Sequence, residues 1–166
     1  AVRSIPCDAD QRMRLDALAE ALERDREAGV TAAAVVATAG TTATGAIDPL
    51  EGIADLCERH GARFHVDACY GGPGVLADDL RPLFAGIDRA DSIAVDAHKW
   101  LYTPLLGGCA LLRDGALLPA AFAADASYIW LDEETRRSHG TDYVHHGPDF
   151  SRGFVALRVW ASLVAH

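Results

Sequence analysis

The residues most able to do chemistry stand where short apolar runs end. Lys99 follows the run Ser92 to Val95 through Asp96, Ala97 and His98, and Asp67 closes the run Phe64-His65-Val66. An ammonium group is costly to remove from water. A lysine at the mouth of a buried strand therefore either snorkels to solvent or is an amine whose pKa is lowered by desolvation, so that it can condense with a carbonyl. A carboxylate between apolar neighbours, as at Asp67, needs a cation or several donors. Lys99, a cationic ligand or a turn N–H would each meet that need. Thr41 and Thr42 follow a third apolar run that breaks at Gly40.

Elements must bring these loops together. Leu15, Leu18 and Leu22 recur at helical spacing, Glu20 lies four residues before Arg24, and Gly29 ends the run, which predicts a surface helix. TAAAVVATAG lacks polar alternation, as expected of a strand buried on both faces. Asp48 is expected to cap the next helix, with Pro49 at its first position, Leu50, Ile53, Leu56 and Cys57 as its apolar face, and Gly61 as its stop. RFHVDAC reads as a second strand, a short helical piece is expected near Leu80 to Phe84, and DSIAVD and GGCALLRD read as further strands. The opening AVRSIPCD reads as a strand entered midway. Helices alternating with strands imply an α/β fold with a mainly parallel sheet. Ligands of such sheets bind beyond the carboxyl ends of the strands, where Thr42, Asp67, His98 and Lys99 stand. About residues 125–150 the periodicity lapses, and a long loop is expected before Phe154, Leu157, Trp160 and Val164 restore a helical face.

Composition narrows the function. The 166 residues carry a formal net charge of -9, which excludes the basic stripe that a nucleic-acid or anionic membrane surface would need. The run from Val30 to Ala39 is well short of the roughly 20 residues that span a bilayer. Cys7, Cys57, Cys69 and Cys109 form no C-x-x-C pair, so reduced thiols and a cytoplasmic location are expected. His139, His145 and His146 have irregular spacing for a metal site, and no metal is expected.

Taken together, HVDACYGG, DAHKW and VATAGTT resemble the pyridoxal-phosphate-dependent amino acid decarboxylases of the aromatic-L-amino-acid and glutamate decarboxylase group, over essentially the whole chain. HKW, rather than HKM, leans toward the aromatic side of that group. The resemblance implies the aspartate-aminotransferase-like (type I) fold. Residues 1–166 would form part of the large, cofactor-binding domain, with the phosphate-binding part before them and the small domain after them. It implies pyridoxal 5'-phosphate as cofactor, decarboxylation of an L-amino acid, aromatic by preference, to its amine and carbon dioxide, and a homodimer as the assembled form.

The same resemblance assigns roles by position. Lys99 would hold the cofactor as a Schiff base, Asp67 would face the pyridine nitrogen, and Thr42 would contact the ring's substituents, with Cys69 beside them. His98 and Asp96 would lie near the phosphate or support Lys99. Relatives often carry alanine where Cys69 stands and asparagine where Asp96 stands, and an anionic Asp96 would repel a phosphate. Tyr128 matches the catalytic-loop tyrosine that returns a proton after carbon dioxide leaves, and relatives with phenylalanine there form aldehydes instead. Ser151 matches a position tied to substrate choice, and Gly153 replaces a usual arginine. An aminotransferase-like relative, or an inactive piece of the fold, is the alternative.

Overall fold

A computed structural model describes residues 2–104, 107–122, 143–149, 151 and 153–165. Their order is α1 (Leu15–Glu27), β1 (Ala34–Thr38), α2 (Leu50–His60), β2 (Arg63–Asp67), β3 (Ser92–Asp96), β4 (Gly108–Leu112), α3 (Leu117–Phe122) and α4 (Val155–Ala165). Short 3-10 helical turns at Gly72–Leu76, Arg81–Phe84 and Ile87–Arg89 join β2 to β3. By internal contacts Ala1–Arg113 and Ala156–His166 make one unit, which contains the sheet, and Asp114–Val155 a second. Within the second unit the described elements are α3 and a helical turn at Tyr143–His146. Most of the loop expected over 125–150, including Tyr128, lies outside the described residues.

The four strands lie in chain order, with β1, β2 and β3 parallel and β4 antiparallel to β3. The fold is thus α/β with a mostly parallel sheet, as the alternation predicts. Side chains alternate across a strand. Val35, Ala37, Phe64 and Val66 accordingly share the face that packs with Leu50, Ile53 and Leu56 of α2 and Leu18 and Leu22 of α1. Phe64, Leu50, Ile53 and Val66 are the largest fully buried side chains. Gly61 ends α2 with φ 67, a conformation that costs glycine nothing. The opposite face is open in part. Val36 is 57% exposed there, so β1 is not buried on both faces as its unbroken apolar run suggests.

Three other local expectations are corrected. Residues 2–14 form no strand beyond a single bridge between Cys7 and Met13. The Asp8 carboxylate accepts the N–H groups of Asp10 and Arg12, both at 2.9 Å, and turns the chain instead. Asp48 does not cap α2, whose N-cap is Pro49 without a side-chain bond. Its Oδ1 accepts Met13 N–H at 2.6 Å and its Oδ2 accepts Thr38 N–H at 2.7 Å, so it ties the end of β1 to the segment before α1. In α4 the side chains predicted to be its packed face are exposed, Trp160 by 61%. Val155, Val159 and Ser162 are half-buried instead, and a Cβ placed on Gly107 would lie 3.2 Å from Val159 Cγ2.

Candidate active site

Parallel register brings the two strand-end carboxylates to one face. Thr38 pairs with Asp67, and Asp67 with Ala94. Asp96 stands two residues beyond Ala94, so period-two alternation sends it to the side of the sheet that carries Asp67. His65 and Ser92 share that face, with His65 Nδ1 2.7 Å from Ser92 Oγ.

The chain then turns sharply. Lys99 N–H donates to Asp96 O at 3.1 Å, and this turn folds the lysine side chain back over the end of β3. Its Nζ lies 2.8 Å from Asp96 Oδ2, with the lysine side chain 30% and the aspartate 23% exposed. The ion pair therefore forms within the turn, and Asp67 is not Lys99's hydrogen-bonded partner. Its first consequence is a Lys99 pKa held above the ordinary lysine value, chiefly by the Asp96 hydrogen bond and against the opposing effect of desolvation. That corrects the expectation of a lowered pKa. The strand mouth is too open, and Asp96 too near, for desolvation to win.

Asp67 Oδ1 accepts Cys69 N–H at 3.1 Å, the turn donor anticipated for a strand-end carboxylate. Among the described residues it forms no ion pair. Burial, followed by the hydrogen bond and charge of Asp67, pushes the Cys69 thiol up to about 11. Thr42 is exposed in the turn after β1. His98 is half-buried, and its Nδ1 has no hydrogen-bond partner among the described residues.

Three features were missed from sequence. The first is Gly40 against Gly71: Gly71 N–H donates to Gly40 O at 3.2 Å, and a Cβ on Gly40 would fall 2.5 Å from Gly71 Cα. This seats the loop after β2 on the loop after β1, and the glycines of TAG and YGG were its only sequence signal. The second is Thr103, 5% exposed, whose Oγ1 has no partner among the described residues. The third is Tyr70, edge-on to Trp100 with ring centroids 5.7 Å apart. It joins the turn after Asp67 to the turn holding Lys99, and such pairs add about 0.5–1.5 kcal/mol beyond area burial.

An amine and two carboxylates thus meet at the carboxyl ends of neighbouring parallel strands. Comparison with known proteins gives this arrangement a lineage: the family described as "Pyridoxal-dependent decarboxylase conserved domain" matches residues 1–165. The chain belongs to the pyridoxal-dependent decarboxylase family. Among the relatives of this decarboxylase-family chain, an aromatic-L-amino-acid decarboxylase of Bacillus atrophaeus is 38% identical over 95% of this chain and 33% of its own length. An L-2,4-diaminobutyrate decarboxylase of Rhizobium meliloti is 48% identical over 78% of this chain and 26% of its own. The crystal structure of Oryza sativa TDC with PLP and tryptamine superposes with a TM-score of 0.90 at 33% identity, covering 98% of this chain and 34% of that one. The chain spans about a quarter to a third of the length of these decarboxylases.

Proposed function

We propose that the chain carries the cofactor-anchoring part of a pyridoxal 5'-phosphate-dependent carboxy-lyase that converts an L-amino acid, aromatic by preference, to its amine and carbon dioxide. One observation carries this reading: the Lys99 amine and the Asp67 and Asp96 carboxylates gather at the ends of adjacent parallel strands. Family membership supports it.

The groups present suit that cofactor. Its aldehyde calls for a primary amine, which Lys99 offers. Its ring nitrogen calls for a carboxylate, and Asp67 is already oriented by Cys69 N–H. Among the described residues His98 Nδ1 and Thr103 Oγ1, which follow the same strand, have no hydrogen-bond partner, and buried polar atoms seldom go unpaired. Bound there, the cofactor supplies a sink for the electron pair that carbon dioxide leaves behind.

The chain's own residues do the rest. Lys99 would hold the cofactor through its amine nitrogen, once the ammonium paired with Asp96 has given up a proton. Asp67 holds the proton at the ring nitrogen, which keeps the sink effective. By the family pattern Thr42 and Cys69 would contact the ring, and His98 would serve the phosphate or support Lys99. Tyr128 returns a proton to the substrate's α-carbon, a role that rests on its position in the family pattern. The working form is a cytoplasmic homodimer. Aromatic amino acids rank first as substrates because of HKW and the Bacillus atrophaeus relative, with 2,4-diaminobutyrate second because of the Rhizobium meliloti relative.

The test is reductive trapping of pyridoxal phosphate followed by peptide mapping, together with release of carbon dioxide from L-tryptophan and from 2,4-diaminobutyrate. Label on Lys99, lost in Lys99→Ala, is expected. Undiminished specific labelling of Lys99→Ala overturns the assignment, and keto acid formed without carbon dioxide points to an aminotransferase-like relative. Tyr128→Phe is expected to turn the product from amine toward aldehyde.

A further inference from the structure

Lys99 sits in a nest of acids that its attachment chemistry does not obviously want. Asp96 Oδ2 is 2.8 Å from its Nζ, on the turn that both residues close. Asp67 and the Cys69 thiol face it from the end of β2 and the turn beyond, and both interact with its charge. From β4 the neighbour is uncharged backbone: Gly108 pairs with Asp96, and a Cβ there would lie 3.3 Å from Asp96 Oδ1. The Asp96 carboxylate is thus held between a strand backbone and the lysine. It is the one acid in direct hydrogen-bond contact with that amine among the described residues.

We propose that Asp96 is a positioning residue that keeps the Lys99 amine protonated and docked at the end of β3, so that reaction with an aldehyde waits on release of this ion pair. The inference rests on reading Lys99 as the cofactor anchor. The ammonium releases a proton to solvent, and the freed nitrogen lone pair attacks the aldehyde carbon while the carbonyl π pair moves to oxygen. The adduct then loses water to form the carbon–nitrogen double bond. Only the neutral amine can begin this sequence, and Asp96 stabilises the charged form. The raised Lys99 pKa has the same direction. An asparagine at 96 would keep the shape and remove the charge.

Two readouts test the proposal on the full chain. In the first, the Lys99 ammonium of wild type and Asp96→Asn is titrated by NMR with isotope-labelled lysine and no cofactor. The Asp96→Asn midpoint is expected at lower pH, and coincident midpoints overturn the proposal. Should Asp96→Asn fail to fold, a wild-type midpoint above that of free lysine supports it, and one at or below that value overturns it.

In the second, the rate of reductive trapping at Lys99 is followed against pH with pyridoxal phosphate and with pyridoxal, which lacks the phosphate. Asp96→Asn is expected to react severalfold faster with both at neutral pH, the pH–rate curves moving to lower pH. A gain confined to pyridoxal phosphate overturns the proposal and assigns Asp96 to repulsion of the phosphate. Equal curves with label on Lys99 overturn the proposal and leave the anchor assignment standing. Absence of label on Lys99 from either aldehyde overturns the anchor assignment, and the proposal with it.

Discussion

Gly71 rests on Gly40 so closely that a Cβ on Gly71 would lie 2.6 Å from Gly40 Cα and 2.9 Å from Ala39 O. Because these contacts are to backbone, no side chain can swing away to relieve them. Gly71→Ala is expected to destabilise the protein by about 1–3 kcal/mol, the usual range for forcing atoms into a packed place. A drop in the urea midpoint at unchanged slope would show it. A midpoint equal to wild type would mean that the two loops part easily.

The Cys69 thiol offers a reporter for Asp67. With its pKa pushed up to about 11 by burial first and by Asp67 next, Cys69 is protonated at neutral pH and is expected to alkylate slowly with iodoacetamide. Asp67→Asn removes a negative charge beside the sulfur. Faster alkylation of Cys69 at mildly alkaline pH, followed by peptide mass spectrometry, is the expected result. An unchanged rate would remove Asp67 as a cause and leave burial as the main one.

Asp48 holds two backbone N–H groups, those of Met13 and Thr38, in a part-buried setting. Hydrogen bonds to a charged group are worth about 1.5–3 kcal/mol each. Asp48→Ala strands both donors and is expected to cost roughly 2–4 kcal/mol in chemical unfolding, more than the ~1 kcal/mol typical of a lost helix cap. A cost near the lower figure would show that water or a neighbour takes over the donors.

Asp91 sets an acid limit on stability. Phe64 N–H donates to its Oδ2 at 2.8 Å and Arg63 Nη1 to its Oδ1 at 3.0 Å. The backbone donor first, and Arg63 after it, hold its carboxyl below the usual aspartate range. A depressed folded-state pKa contributes stability that is complete above the unfolded value, near 3.9, and is lost as pH falls through the folded value. Asp91→Asn is expected to be less stable at neutral pH and to lose less on acidification to that range. Parallel stability–pH curves for the two proteins would remove Asp91 from the acid response.

Local chemistry alone determined much of this protein. The periodicity of Leu50, Ile53, Leu56 and Cys57, the glycine at 61, the unbroken run of β1 and the short apolar stretches of β2 and β3 specify helices and strands through nearest-neighbour geometry and burial, and these formed where expected. The motifs HVDACYGG, DAHKW and VATAGTT resemble those of the family whose model matches residues 1–165. Tertiary structure alone decided which partner each polar group took. Asp48 looked like a cap by proximity to Pro49, yet β1 and the segment before α1 presented unpaired N–H groups closer to its oxygens. Lys99 looked ready for a lowered pKa because apolar runs imply desolvation, yet the turn after β3 returned it to Asp96. Hydrogen bonds and ion pairs are won within about 3 Å, and which groups come that close depends on register and turns that a linear spacing does not record.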